Sequence, residues 1–384
     1  MNRILAFVFA LCALQAALAD ESNQTPNACG AGDQAVSAGQ WESARTLYLD
    51  CLASDPARYD VLSNLGVVYT RLGRMQEAVD SYKRSLALSP GNAKVEFNLS
   101  VALVKIGSYS DAVEHLSALR KIQPNEVRVQ ELLAFSYYHL GRYSLAAREA
   151  ERVYKVNSED AANALILGSA YSRLGEYEKA LPLITQALKA AGSAEGHLIM
   201  GETLLGLRLY QPAMDELTQA IALQPDLPGL HCAIGTAQAG LGKSEEAERE
   251  FKLALDADPN DYQANYYMGR LERLDGNAPA AQQFLAKAEQ LSPGTAEVRF
   301  ERAAIEMDEH HYSKAESLLA EVIRKQPDHR EAHFLLAKIY LKQGRKEAAE
   351  RERKIFERLQ KQQQNKTPNG AGTSSAASSS PSAP

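Results

Sequence analysis

The chain has 384 residues, of which 45% are apolar and 23% charged, with a net charge of −6. That apolar content supports a packed core and excludes a disordered chain. The mildly acidic balance argues against general nucleic-acid binding, which relies on cations neutralising phosphates.

The first element is residues 1–19, "MNRILAFVFALCALQAALA". It has one early cation, Arg3, then an apolar stretch, then the small-x-small ending Ala17-Leu18-Ala19. This pattern predicts a signal peptide cut before Asp20, and so an exported protein, periplasmic or secreted. An uncleaved anchor is the alternative, but the apolar run is shorter than the ~20 residues of a spanning helix. Cys12 follows Leu11, whereas a lipid-attachment box takes Gly or Ala there. Residues 20–24 read as a short linker, and the mature chain contains no candidate transmembrane helix.

From residue 25 the sequence becomes periodic. "RLG" at 71–73 returns as "KIG" at 105–107, "HLG" at 139–141 and "RLG" at 173–175, each 34 residues on. Ten units fit this frame, starting near 25, 59, 93, 127, 161, 194, 228, 262, 296 and 330 and ending near 363. The step from 161 to 194 is one residue short. The twentieth position is always alanine: Ala44, Ala78, Ala112, Ala146, Ala180, Ala213, Ala247, Ala281, Ala315 and Ala349. The eighth is Gly, Ala or Ser throughout, as in Gly32, Gly66, Ser100 and Ala134. Two helices crossing closely need small side chains between their axes. Positions 4, 7, 8 and 11 form one face of a first helix A, and positions 20, 24 and 27 one face of a second helix B. Glycine at position 15, for example Gly73 and Gly175, ends helix A. Proline at position 32, for example Pro90 and Pro327, closes helix B.

The second unit reads Leu62, Leu65-Gly66, Tyr69, Gly73, Ala78, Tyr82 and Pro90. This resembles the tetratricopeptide repeat. The resemblance implies an all-α fold, a right-handed solenoid superhelix of helix hairpins, with positions 2, 5, 9, 12 and 13 of helix A lining a concave groove. Some positions depart from the pattern. Gln238, Glu272 and Glu306 are polar at position 11, Ser158 and Gly192 replace the proline, and Arg208 and His310 replace the turn glycine. The last unit turns polar at 345–364, where Ile355, Phe356 and Leu359 would cover the final core as a cap. Residues 364–384, rich in Ser, Ala and Pro, read as a disordered tail.

On the groove, Phe97, Val101, Phe135, Tyr138, Leu165, Tyr266, Phe300 and Phe334 form an apolar and aromatic strip. Arg71, Lys105, His139 and Arg173 recur at position 13 as a cationic ladder, and Arg270, Arg273 and Lys338 add a second basic group. The ladder suits an acidic or C-terminal-carboxylate segment. A competing reading is that cations are favoured in the last turn of any helix. The family's carboxylate clamp is incomplete: Asn64 and Asn98 stand at its position 6, but the Lys–Asn pair before each is missing. Cys29 and Cys51 fall on the two helices of the first hairpin, which puts a bridge within reach; two small buried thiols is the other reading. Cys232 reads as a small core filler.

Signals for chemistry are weak. "GLGKS" at 240–244 has Ala237 where a phosphate loop needs Gly, and it falls in a helix turn. His329 and His333 sit one turn apart with no third ligand evident, and His310-His311 lies in a turn. No cofactor, metal or reaction is expected. The expected function is a protein-binding scaffold or assembly factor that takes peptide segments in its groove. Carbohydrate or cell-wall binding through the aromatics is the alternative, and a metal-dependent activity at His329/His333 the weaker one.

Overall fold

In the computed structural model, residues 28–366 are described; the leader, the linker and nearly all of the expected tail lie outside them. Described residues form helices only, without a strand. The chain divides into two compact units, Met1–Ala233 and Ile234–Pro384. In the first unit the hairpins are α1 (Ala28–Ser37) with α2 (Trp41–Ser54), α3 (Tyr59–Arg71) with α4 (Met75–Leu88), and α5 (Ala93–Lys105) with α6 (Tyr109–Ile122). They continue with α7 (Val127–His139) and α8 (Tyr143–Val156), α9 (Ala161–Arg173) and α10 (Tyr177–Ala190), and α11 (Ala194–Gly206) and α12 (Tyr210–Leu223). Helix α13 (Leu230–Gly240) contains the division. The second unit holds α14 (Ser244–Ala257), α15 (Tyr262–Leu274) with α16 (Ala278–Leu291), and α17 (Ala296–Asp308) with α18 (Tyr312–Lys325). It ends with α19 (Arg330–Lys342) and α20 (Lys346–Lys366).

Each hairpin closes on its small residues. Nine of the ten position-20 alanines are wholly buried, and Ala349 is 3% exposed. At position 8 the partner is the large residue at position 24 of the same hairpin. A Cβ on Gly66 would stand 2.5 Å from Tyr82 Cε1, and one on Gly235 2.7 Å from Phe251 Cε1. The aromatic ring thus fills the space that the missing side chain leaves, and helix A rests directly on it.

The turn follows from backbone geometry. Gly73 takes φ +75°, and the next amide, Arg74 N–H, donates to the Tyr69 carbonyl at 2.9 Å. This wraps the chain end over the last turn of helix A. Arg208 and His310 adopt the same left-handed backbone, φ +60° and +63°, without being glycine. The amides after them make the same closing bonds, Leu209 to Leu204 at 2.9 Å and His311 to Glu306 at 2.7 Å. Two of the three polar position-11 residues serve that turn. Glu272 accepts from Asn277 Nδ2 at 2.7 Å, and Glu306 pairs with His311 at 2.9 Å. Several A helices start on a side-chain cap: Asn92 accepts from the Lys94 and Val95 amides, and Asp160 from those of Ala162 and Asn163.

Hairpins are tied to their neighbours by polar bonds as well as by the core. Glu149 of α8 is fully buried and held by Arg120 of α6 at 2.5 Å and Arg152 at 2.6 Å. A carboxylate buried this deeply persists only with such partners. Cys29 and Cys51 are joined by a disulfide that links α1 to α2, with Cα atoms 5.2 Å apart. Cys232 is buried.

Candidate functional site

Within each unit the A helices of successive hairpins lie side by side. In the first unit α3, α5, α7, α9 and α11 form this row; in the second, α15, α17 and α19 do. Side chains on the outward ridge of these helices, which the hairpin cores do not consume, form the candidate surface.

In the first unit the ridge opens at the start of α5 and of α7. Phe97 is half-buried, and the Arg128 guanidinium lies over its ring at 4.8 Å. Beside them is a hollow of about 400 Å³ lined by Ala93, Lys94, Asn98, Gln123 and Glu126. Glu126 accepts from Arg128 Nε at 3.2 Å, which fixes the guanidinium at the rim. Val101 and Lys105 continue the ridge and are also half-buried. Glu131, one turn along α7, has its pKa pushed up to about 7, by burial first and by the Asp160 charge second.

Two expected groove residues are not on this surface. Phe135 is 3% exposed and Leu165 8%; both are core. Phe135 packs edge-on against Tyr109 at 6.1 Å and against His139 at 4.4 Å. Leu165 joins the cluster of Ala180, Ile184 and Ile199. The physical reason is which neighbours reach them: Phe135 is covered by Tyr109 of the preceding hairpin and by His139 one turn on, and Leu165 by its own partner helix α10 together with Ile199 of α11.

The cationic ladder also has a structural partner. Position 17, the first residue of helix B, meets position 13 of the next hairpin. The Arg71 guanidinium lies over Trp41 at 5.7 Å, and His139 stacks on Tyr109 at 4.7 Å with the rings 11° apart. Desolvation in this stack lowers the His139 pKa. Arg173 is paired with Glu202 of α11 at 3.0 Å. Burial raises the Glu202 pKa, with Arg173 partly offsetting it. Tyr138 is half-buried and meets His139 and Tyr143 edge-on at 5.6 Å each. The ladder is therefore a seam between hairpins. The sequence signal for this seam was the aromatic at position 17, in Trp41, Tyr109, Tyr143 and Tyr177.

In the second unit Glu301, nearly fully buried, draws in both arginines: Arg273 at 2.6 Å and Arg270 at 3.5 Å. Tyr266 is half-buried between Tyr262 and Tyr267. Phe300 packs against His329 at 5.0 Å. Phe334 stays 46% exposed, with Lys338 Nζ over its ring at 5.4 Å and Phe356 at 5.2 Å.

The candidate metal pair does not converge. His329 caps α19, its Nδ1 accepting from the Ala332 amide at 3.2 Å. His333 is buried, with one nitrogen on Glu352 and the other on the Pro327 carbonyl. Glu306, Glu309 and His311 bring ligand atoms within 4.8 Å of one another at an exposed turn, where Lys314 also approaches Glu306 at 3.7 Å. Gly242 of "GLGKS" is a turn glycine with φ +77°. Among the described residues no helix is long and apolar enough to cross a membrane.

Three family models, each described as tetratricopeptide repeat, match the sequence. One covers residues 29–93 and 232–296, a second 71–134 and 306–371, and a third 165–198. Together they span well over half of the chain, which belongs to the tetratricopeptide-repeat family. The fold is that of a protein–protein interaction scaffold. Similar solved structures include the human IFIT1 dimer with PPP-AAAA, at 16% identity and TM-score 0.50, covering 86% of this chain and 89% of that one. A monomeric IFIT1 mutant with Gppp-AAAA gives 16% and 0.51, covering 93% and 94%. A tetratricopeptide repeat protein from Parabacteroides merdae gives 17% and 0.48, covering 66% and 97%. At identities this low, the two IFIT1 likenesses show a shared fold alone. No curated protein matches the sequence.

Proposed function

We propose that this chain is an exported, non-enzymatic scaffold that holds segments of other proteins along the A-helix ridge of its first unit. The observation that carries this reading is the open stretch at Phe97, where an aromatic floor, a fixed guanidinium and a hollow adjoin. An extended segment laid across it would place one apolar side chain on Phe97 and Val101, and an acidic group near Arg128. The leader-like residues 1–19 favour export, and the Cys29–Cys51 bridge suits an oxidising compartment.

The test is affinity capture from extracytoplasmic extract with the wild-type chain and with Phe97→Ser/Val101→Asn. Phe135 is left intact because it belongs to the core. The double variant is expected to keep its helicity and lose captured partner by about tenfold, as for loss of an interface anchor. Undiminished capture would place the binding surface elsewhere.

A further inference from the structure

Position 5 of helix A forms a row across the first unit: Ser63 on α3, Phe97 on α5, Glu131 on α7 and Leu165 on α9. Both ends of this row are closed, with Ser63 at 9% and Leu165 at 8% exposure. Between them Phe97 and Glu131 are part-open. The row thus offers a ligand one aromatic ring and, on the next hairpin, one carboxyl group.

That carboxyl lacks a counterion. Among the described residues no hydrogen bond or ion pair holds Glu131. The charges that reach it are Asp160 at the start of α9, Arg128 and Glu126, and two of these three are negative. Arg128, one turn back on α7, is committed to the Phe97 ring and to Glu126. Asp160 caps α9 through a single oxygen, Oδ1, which accepts from both the Ala162 and Asn163 amides. Its Oδ2 is left to take a further partner. Burial raises the Glu131 carboxyl to about 7, as befits a half-desolvated acid without a cation. The hollow beside Phe97 has the opposite bias: Lys94 and Arg128 line it against one acid, Glu126. A basic group on a ligand is repelled there and attracted one hairpin further on.

We propose that the segment held on this ridge carries a lysine or arginine three residues from the apolar side chain that rests on Phe97, and that Glu131 and Asp160 receive it. The assignment rests on the ridge of the first unit being the binding surface. Its spacing follows from geometry. Packed helices lie about 8–10 Å apart, and α5 and α7 are neighbours in the row. A polyproline-II segment has three residues per turn and rises about 3.1 Å per residue, so side chains three apart share a face and stand about 9 Å apart. A β-strand spans the same distance in three residues, but with the two side chains on opposite faces. The ligand is therefore a polyproline-II segment of pattern apolar-x-x-basic, in either chain direction. A cation seated there compensates a carboxylate that is otherwise half-buried alone.

The test titrates fluorescein-labelled, proline-rich peptides into the full chain at about pH 8, where Glu131 is ionised. Two probes carry Leu-Pro-Pro-Arg and the reverse order Arg-Pro-Pro-Leu; matched controls replace the arginine by glutamine or glutamate. The better arginine probe should bind about tenfold tighter than its glutamine control, the effect of one charge-assisted contact, and the glutamate control should bind weakest. Glu131→Gln, which removes the charge and keeps the shape, should narrow that preference. Glu131→Lys should reverse it in favour of the glutamate control. Equal affinity for the arginine and glutamine probes overturns the inference, as does a Glu131→Gln chain that keeps the full preference. If those equal affinities both fall in Phe97→Ser/Val101→Asn, the ridge still binds and the cation rule alone fails. Absence of saturable binding by every probe up to about millimolar concentration also overturns the inference, and the ridge is then judged by the capture experiment alone.

Discussion

The ring of Tyr177 occupies the space over Gly206: a Cβ on that glycine would stand 2.2 Å from the tyrosine Cζ. These are positions 17 and 13 of adjacent hairpins, where Tyr109 stacks on His139 and Trp41 meets Arg71. At Gly206 the seam is made by the absence of a side chain rather than by a cation. Gly206→Ala is expected to lower stability by about 1–3 kcal/mol, the cost of overpacking a fitted contact. Denaturant titration reads this directly, and an unchanged midpoint would mean that Tyr177 moves aside freely.

Arg208 and His310 hold left-handed turns that glycine holds elsewhere in the array. A left-handed backbone costs a residue with a side chain about 1–2 kcal/mol relative to its ordinary conformation. Arg208→Gly should therefore raise the thermal midpoint. His310→Gly should raise it less, because the His310 ring also bonds the Tyr312 hydroxyl at 3.1 Å. A fall in both variants would contradict the strain.

Ala146 lies wholly buried at the crossing of α7 and α8. Ala146→Leu would drive the helices apart and should cost about 3 kcal/mol or more, since neither backbone can yield without opening its neighbours. Retained stability, read by thermal melting, would mean that the crossing is loose.

Glu131 has a carboxyl pKa of about 7 in the folded chain, raised chiefly by burial and then by Asp160. The unfolded chain releases that proton near the ordinary carboxyl value of about 4.3. Between those values the folded state holds the extra proton, so stability should fall as pH rises through the window. Glu131→Gln should flatten this slope and gain roughly 1–2 kcal/mol at neutral pH. Stability measured at about pH 5 and about pH 8 checks the sign, and a rise with pH in the wild type would refute it.

The fold was legible in the residues because each hairpin repeats the same local demands. Ala180 is small because two helix axes cross there, and Gly175 is glycine because the turn needs φ +76°. Such requirements recur at every 34th residue and leave a mark that one sequence displays. Exposure left no comparable mark. Phe97 and Phe135 look alike on paper, yet one stays half-open under Arg128 and the other is sealed beneath Tyr109 and His139.

What the sequence determined by itself was the period, the helix pairs, the crossings and the turns, because these depend on residues within one hairpin. Only the tertiary structure decided which ridge residues face solvent, which cations are already engaged, and that His333 is gripped from both sides. Those outcomes depend on contacts such as Arg173 with Glu202 and Tyr177 with Gly206, 29 residues apart in each case, which meet only when one hairpin settles on the next.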